Sequence, residues 1–281
     1  MYRQVLLLAD LEAAIHRINP HLPQSAVEQA VAVVRKPESL DVVISNRAFH
    51  RLLLDGVPVE YKLPRANDKE HDKVVHDQAF LVDFGDLTAN RFRAINQFTL
   101  EGSKQLRRPD VVCFINGLPL AVLELKSPGA ENVNIWDAYN QIQTYKDECS
   151  DLFAYNEAAI ISDGYLARVG SLTASQERYM PWRTIKHEDD KPLLEWQLET
   201  MVRGFFDREL FLDYIRYFVI FETDSDKLIK KIAGYHQFHA VREAVRATVI
   251  AARDMSGDGI SEKRATYGDE VQPGSKKADW R

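Results

Sequence analysis

Several features are scarce or absent in this 281-residue sequence, and each absence excludes a class of protein. Two cysteines, Cys113 and Cys149, are too few for a disulfide framework and favour a reducing, cytoplasmic compartment. No apolar run approaches the roughly 20 residues of a membrane-spanning helix, so we expect no membrane partner. A net charge of −6 excludes a uniformly basic polyanion-binding protein, although a local basic patch remains compatible with it. No Gly-x-x-x-x-Gly-Lys-Ser/Thr phosphate loop occurs, which argues against a self-sufficient ATPase.

The remaining composition is that of an ordinary globular protein. Hydrophobic residues make up 45% of the chain and charged residues 28%, values typical of soluble domains. The length suffices for one large domain, or for one domain and part of another. Function therefore has to be sought in local motifs.

The most informative stretch is residues 107–126, in which Asn116-Gly117 separates two apolar runs. An Asn-Gly pair in this setting predicts a β-hairpin. Strand side chains alternate between faces, so Glu124 and Lys126 share one face of the second strand. Charged groups in so apolar a strand are costly unless they have a partner or a metal ion.

The register of this hairpin stays open at the level of sequence. A two-residue turn places Asp110 opposite Leu123, on the other face from Glu124. A three-residue loop through Leu118, or a β-bulge, places Asp110 opposite Glu124 instead. Only the second arrangement brings the two acids together.

Two carboxylates at a strand pair suit Mg²⁺, which prefers oxygen ligands and retains several waters. We expect Asp110, Glu124 and the backbone carbonyl of Leu125 to bind the metal ion, and Lys126 to orient water or stabilise developing charge. No histidine or cysteine stands nearby at zinc-binding spacing, and Cys113 is typical of a core strand. The competing interpretation is a structural salt bridge within one strand.

The pattern Pro109-Asp110 … Glu124-Leu125-Lys126 resembles the PD-(D/E)xK nuclease motif. Together with residues 134–145, 160–164, 170–173 and 180–183, it resembles the motor/restriction (R) subunit of type I restriction enzymes. The similarity runs from roughly residue 45 to residue 245. It implies an α/β fold with a mixed sheet flanked by helices, followed by a mostly helical segment that enters a helicase-like motor domain.

The resemblance also implies an activity and partners. The expected activity is Mg²⁺-dependent endonuclease cleavage of double-stranded DNA, coupled in the full assembly to ATP-driven translocation. The expected partners are DNA and separate modification (methyltransferase) and specificity subunits. Gln141 and Tyr145, four residues apart on a predicted helix, match the Gln-x-x-x-Tyr motif of this nuclease subgroup and would support the site. The alternative is a non-catalytic module with a nuclease fold that docks on DNA or on a partner.

The resemblance divides the chain into residues 1–185 as the endonuclease domain, 186–232 as a helical linker and 233–281 as the start of the first RecA-like motor domain, cut before the phosphate loop. Helices are predicted over 193–206 and 209–221 of the linker. Gln237 resembles the adenine-recognition glutamine of such motors, so ATP is expected to bind only to the full-length protein. His236 and His239 lack further ligands at metal-binding spacing.

Other candidates carry two interpretations each. A basic patch before the site is either a DNA contact or a solvated strand end; its members are Arg91, Arg93, Lys104, Arg107 and Arg108, of which Arg107 and Arg108 are our candidate DNA-binding residues. Glu28 fits a capping box with Ser25, opening a helix over 26–34, better than a metal site. Residues 79–84 and 92–100 are predicted strands, and 62–76 is a predicted loop or irregular helix start. Asp83 fits a strand-end acid better than an acid near the metal ion.

Overall fold

The computed structural model describes residues 4–63, 73–129, 134–185 and 196–256. The helices are α1 (Leu8–Ile18), α2 (Gln24–Val34), α3 (Val42–Asp55), α4 (Ile135–Glu148), α5 (Ser150–Phe153), α6 (Gln197–Thr200, continued by a π turn), α7 (Arg208–Tyr217) and α8 (Tyr235–Ser256). The strands are β1 (Val57–Leu63), β2 (Lys73–Ala79), β3 (Phe92–Asn96), β4 (Leu100–Glu101), β5 (Leu106–Arg107), β6 (Val111–Ile115), β7 (Leu118–Leu125), β8 (Ala158–Ser162), β9 (Ala167–Gly170), β10 (Val219–Asp224) and β11 (Lys227–Ile232). Among these described residues, no helix is both long enough and apolar enough to cross a membrane.

The centre of the fold is a five-stranded sheet in the order β3-β6-β7-β8-β9. Strands β7 and β8 are parallel and the other neighbours antiparallel. β7 is the central strand and is buried along almost its whole length, which explains a continuous apolar run in place of alternation. This mixed sheet flanked by helices confirms the predicted fold class at that level.

Helix α4 connects β7 to β8 and packs on both strands. Its start is fixed by a capping box between Asn134 and Asp137. The buried residues Ile135, Ala138, Ile142 and Tyr145 recur at helical spacing, so the helix turns one face toward the sheet. The predicted helix over 134–149 is confirmed, and Tyr145 on its buried face points toward the carboxyl end of β7.

Two predictions near the amino terminus are wrong. The capping box of Ser25 and Glu28 does not form, because α2 already begins at Gln24 after Pro23; the exposed Glu28 accepts a hydrogen bond from Gln24 instead. Most of the described part of 62–76 belongs to the β1–β2 hairpin. Its charged residues occupy the exposed positions of alternating strands and so resemble a loop in sequence.

The predicted strand over 79–84 is also wrong beyond Ala79. Residues 80–84 form an irregular connection, and the Asp83 carboxylate accepts the backbone N–H groups of Gly85 and Asp86. Asp83 thus stabilises a turn rather than a strand end. The next predicted strand forms as β3, which ends at Asn96 and pairs with β6.

Both predicted helices of the linker form in their described part, but the second is shorter than predicted. Helix α6 and its π turn lie within 193–206, whose residues 193–195 lie outside the described residues. Helix α7 ends at Tyr217, and Val219 begins the β10–β11 hairpin. Ser225 and Asp226 turn this hairpin at φ angles of +47° and +70°, which asparagine, aspartate and glycine adopt most readily. Trp182 packs against Phe205, Tyr214 and Phe238, so a shared aromatic core joins residue 182 to the helices that follow. The domain boundaries themselves stay predictions.

Candidate active site

The β6–β7 hairpin resolves the open question of register. Asn116 and Gly117 form a two-residue turn with φ angles of +52° and +81°, as a type I′ turn requires. Ile115 then pairs with Leu118, but a β-bulge follows, and Val111 pairs with Leu123. Continuing that register by one residue places Asp110 opposite Glu124. Of the two routes that would bring the acids together, the bulge is therefore correct.

The hairpin turn is held from several sides. A Cβ atom on Gly117 would lie 2.4 Å from the carbonyl oxygen of Leu7, which leaves room only for glycine. The Gly117 carbonyl accepts the Leu7 N–H at 3.0 Å, and the buried Asn116 amide donates to the Leu81 carbonyl at 2.9 Å. These contacts fix the turn that sets the spacing of the acids.

Asp110 lies just before β6 and is held by two donors. Its Oδ2 accepts the backbone N–H of Leu125 at 2.8 Å, and its Oδ1 accepts the side-chain amide of Gln97 at 2.9 Å. The Gln97 N–H also donates to the Asp110 carbonyl at 2.8 Å. Gln97 adopts a φ of +54°, an unusual conformation for a residue with a side chain. Gln97 was not among the predicted site residues, because nothing in its local sequence pattern marks it as a partner of Asp110.

Glu124 is only 4% exposed and also has two partners. Its Oε1 lies 2.9 Å from the Lys126 Nζ, and its Oε2 accepts the Tyr145 hydroxyl at 3.1 Å. Burial is the main cause that raises the pKa of Glu124, and the nearby charge of Asp110 raises it further, against the opposing effects of Lys126 and Tyr145. The two acids are therefore electrostatically coupled.

Helix α4 supplies the second side of the site. Burial, followed by the charge of Glu124, raises the pKa of Tyr145, while a contact from the Gln141 side chain opposes that rise. Tyr145 therefore stays protonated at neutral pH and donates to Glu124. The structure thus brings together Asp110, Glu124, Lys126, Gln141 and Tyr145.

The donor set fits a divalent cation of the Mg²⁺ class. Each carboxylate oxygen accepts one hydrogen bond and keeps a lone-pair direction for a second interaction. Burial first, and then the charge of Asp110, raises the pKa of Glu124, and a cation bound between the two acids would oppose both effects. In the described ranges, no cluster of three or more His, Cys, Asp and Glu side chains is arranged for a metal ion. A cation here would therefore rest on two carboxylates plus carbonyl, water or phosphate oxygens.

The basic patch is largely neutralised by partners distant in sequence. Arg91 and Arg93 both pair with Asp10, at 3.0 and 3.1 Å. Arg107 makes a bidentate pair with Glu148, both contacts at 2.7 Å, and this pairing is the main reason that its pKa is raised. Its guanidinium thus ties β5 to the end of α4 rather than facing an open surface.

Arg108 and Lys104, the other two residues of the basic patch, are both exposed. Arg108 is next to Pro109-Asp110, and its carbonyl lies 3.5 Å from the Tyr145 hydroxyl. Its backbone is therefore part of the site, while its side chain is open to solvent. Of the two predicted DNA contacts, Arg108 keeps the position that such a role requires.

The predicted nucleotide contact lies at the start of α8. Gln237 is exposed, and its side-chain oxygen accepts the N–H of Gly234 at 2.9 Å, as a helix cap does. His239 is buried, and its Nε2 is 2.6 Å from the Thr184 hydroxyl. This arrangement does not support a metal-binding pair of His236 and His239.

Comparisons with known proteins identify the family of the chain. A family model described as "Type I restriction enzyme R protein N terminus (HSDR_N)" matches residues 1–178. The chain is 43% identical over 268 residues to the type I restriction enzyme HindI endonuclease subunit of Haemophilus influenzae, covering 94% of this chain and 25% of that protein.

More distant relatives carry the same description. The type I restriction enzyme SauMSSORF170P endonuclease subunit of Staphylococcus aureus is 29% identical over 77% of this chain and 23% of that protein. The EcoprrI endonuclease subunit of Escherichia coli is 28% identical over 58% of this chain and 55% of that protein. The chain thus spans only part of the length of each relative. Because the family model matches more than half of its residues, the chain belongs to the type I restriction enzyme R protein family and corresponds to the amino-terminal region of that family.

Proposed function

We propose that this chain is a Mg²⁺-dependent endonuclease with a PD-(D/E)xK fold that hydrolyses phosphodiester bonds of double-stranded DNA. One observation carries the proposal. The bulge in β7 places Asp110 and Glu124 on one face, where Lys126 and Tyr145 each contact one oxygen of Glu124. The relatives named as endonuclease subunits support the same activity.

Asp110, Glu124 and the carbonyl of Leu125 would hold the ion. When bound, Mg²⁺ lowers the pKa of water and offsets negative charge on the phosphate. Asp110 accepts the N–H of Leu125, so its carboxylate is fixed to the strand that also carries Glu124. The protein therefore aligns its oxygen ligands before DNA arrives, which reduces the reorganisation needed for catalysis.

Lys126 and α4 would supply the remaining groups. The Lys126 ammonium, with a side chain 23% exposed, is close enough to solvent to orient a water or to contact a phosphate oxygen while it also pairs with Glu124. Tyr145 holds the second oxygen of Glu124, and Gln141 contacts Tyr145. We expect Arg108, exposed beside Asp110, to contact the DNA backbone.

In the full-length protein, cleavage would be coupled to ATP-driven DNA translocation. Residues 233–281 would begin a RecA-like motor domain whose phosphate loop follows, with Gln237 turning from its cap toward adenine. Modification and specificity subunits would supply methylation and sequence recognition in the cytoplasm. These assignments extend beyond residues 1–178, the part matched by the family model, and rest on the resemblance to type I restriction motor subunits.

Nicking of supercoiled plasmid by the purified chain tests the proposal. We expect nicking that requires Mg²⁺ and falls roughly 100-fold or more in Asp110→Asn and in Lys126→Met. Asp151→Asn, an exposed acid near α4, is the control and should retain the parent rate. Equal nicking by Asp110→Asn and the parent would contradict the proposal. DNA binding without any nicking would favour the non-catalytic docking module.

A further inference from the structure

An exposed pair of aromatic rings lies at the edge of the sheet. Tyr165 is 52% exposed and Trp196 is 45% exposed, and neighbouring Leu166 is 38% exposed. The ring centroids of Tyr165 and Trp196 are 5.1 Å apart, with their planes tilted by 31°. Isolated exposed apolar residues are common, but two large rings in mutual contact form a small apolar surface that calls for an explanation.

This pair lies beside the candidate active site, because Tyr165 belongs to the turn that follows β8. The Lys126 N–H donates to the carbonyl of Ser162 at 2.8 Å. The Ser162 hydroxyl donates to the Leu166 carbonyl at 2.7 Å and accepts the Gly164 N–H at 2.9 Å. Since three residues span at most roughly 11 Å, the Cα of Tyr165 is within that distance of the Cα of Ser162, the neighbour of Lys126.

The turn also packs directly on the chain that leaves the active site. A Cβ atom on Gly164 would lie 2.4 Å from the Pro128 side chain, two residues beyond Lys126. The Asp163 carboxylate accepts the N–H groups of Tyr165 and Leu166 at 3.1 and 2.8 Å. The backbone under the Tyr165 ring is therefore fixed relative to β7.

Trp196 is fixed to the same turn by its neighbour in sequence. The Gln197 N–H donates to the Tyr165 carbonyl at 2.9 Å, and the Gln197 side chain accepts the Ala167 N–H at 3.2 Å. The backbone on either side of the ring pair is thus fixed by hydrogen bonds, which reduces the ordering needed when a ligand stacks on the rings.

We propose that Tyr165 and Trp196 form a platform, close to the β8 residue that binds the Lys126 backbone, on which an unpaired DNA base stacks. This inference rests on the proposed nuclease function. Aromatic faces bind any base, which suits an enzyme that does not read sequence at the cleavage point. Two rings and one leucine offer far less area than the roughly 1,000 Å² of a specific protein interface, so a base is the better occupant.

Binding to two matched DNAs tests the platform. One is a perfect 20-base-pair duplex, and the other is the same duplex with three unpaired nucleotides, one of them 2-aminopurine. Affinities are measured in EDTA for the parent, Tyr165→Ala, Trp196→Ala and Trp196→Phe. Tyr217→Ala, which removes a 48% exposed tyrosine from α7, is the matched control.

Each alanine variant should bind the looped DNA roughly 5- to 150-fold more weakly, the range expected for one lost stacking contact. Perfect duplex affinity should change less than twofold, Trp196→Phe should keep most of the affinity, and the control should match the parent. Unchanged binding of looped DNA by both alanine variants would overturn the proposal and leave the patch to a protein partner. An equal loss for both DNAs would also overturn it.

Plasmid nicking by the same parent preparation separates the two proposals. If the parent nicks plasmid but both alanine variants bind looped DNA as tightly as the parent, the platform alone is refuted. If the alanine variants bind looped DNA more weakly but the parent does not nick plasmid, the platform is supported and the nuclease function is refuted.

Discussion

Replacement of Lys230 by methionine tests how the β10–β11 hairpin is attached to the sheet. The side chains of Lys230 and Glu157 are 0% and 1% exposed. The Lys230 ammonium donates to Glu157 at 2.7 Å, to the Asn156 carbonyl at 2.8 Å and to the Asn46 side chain at 2.9 Å. All three of its protons are therefore used in a closed cluster that links residue 230 to α3 and to the start of β8.

The size of the expected loss of stability follows from the buried groups that remain after the substitution. Methionine fills a similar volume, but Glu157 keeps a buried charge with the His50 ring as its remaining side-chain neighbour, 3.1 Å away. Breaking one side of a buried ion pair costs about 3–5 kcal/mol. For a chain of this size that loss corresponds to a fall of roughly 6–20 °C in Tm.

The effect also has a defined pH dependence. Burial alone would raise the pKa of Glu157, but the charges of Lys230 and His50 hold that pKa below its ordinary value of 4.5. A lowered folded-state pKa contributes stability above the ordinary value, and this stability is lost as the pH falls through the lowered pKa. The difference between the parent and Lys230→Met should therefore shrink in acid.

Urea unfolding followed by tryptophan fluorescence measures the loss. Lys231→Met is the matched control, because Lys231 lies on the same strand with a half-exposed side chain and should change stability by less than about 0.5 kcal/mol. The double variant Glu157→Gln/Lys230→Met removes both charges and should regain about half of the loss or more. A loss below about 1 kcal/mol in Lys230→Met would show that the buried pair of Lys230 and Glu157 does not stabilise the fold as described.

Three further predictions concern the hairpin, its acids and the neighbouring arginine. Glu124→Gln should raise the free energy of unfolding near neutral pH while it abolishes cleavage. Burial raises the pKa of Glu124, so the cost of burying its ionised form appears as the pH rises above 4.5, and the stability gained by the variant in thermal unfolding should vanish below that pH. Gly117→Ala should destabilise by more than about 1–2 kcal/mol in urea unfolding, since the left-handed φ and the contact with Leu7 both oppose a side chain. Arg107→Ala should lower the free energy of unfolding in the same assay through loss of its pair with Glu148, yet leave DNA affinity within twofold of the parent by fluorescence anisotropy.

The sequence was sufficient to locate the hairpin and its acids, because both depend on local chemistry. Asn116-Gly117 between apolar runs specifies a tight turn, and the order of apolar and charged residues in β7 identifies Glu124 and Lys126 as exceptions. The bulge was not predictable, since it depends on how β7 fits both β6 and β8. The Glu157 N–H donates to the carbonyl of Leu120, the bulged residue, at 2.7 Å, and that contact involves a residue 37 positions away.

Partners distant in sequence account for most of what was missed. Arg107 is indistinguishable from an open DNA contact until α4 brings Glu148 beside it. Gln97 becomes a partner of Asp110 only when β3 pairs with β6. The predicted helix over 209–221 extends into the first residues of β10, because Val219, Ile220 and Phe221 continue the apolar pattern of α7. One feature of the sequence is consistent with a buried Lys230: this lysine lies among the apolar residues Leu228, Ile229 and Ile232.

Calorimetric titration of Mg²⁺ into the purified chain, with and without a DNA duplex and in parallel with Asp110→Ala, is the measurement that best tests whether the β6–β7 hairpin binds the metal ion. We expect the parent to bind the ion, more tightly when DNA supplies a phosphate ligand, and Asp110→Ala to lose this binding. Binding of Mg²⁺ by Asp110→Ala with the affinity of the parent would contradict this expectation, because the ion would then lie away from the β6–β7 hairpin.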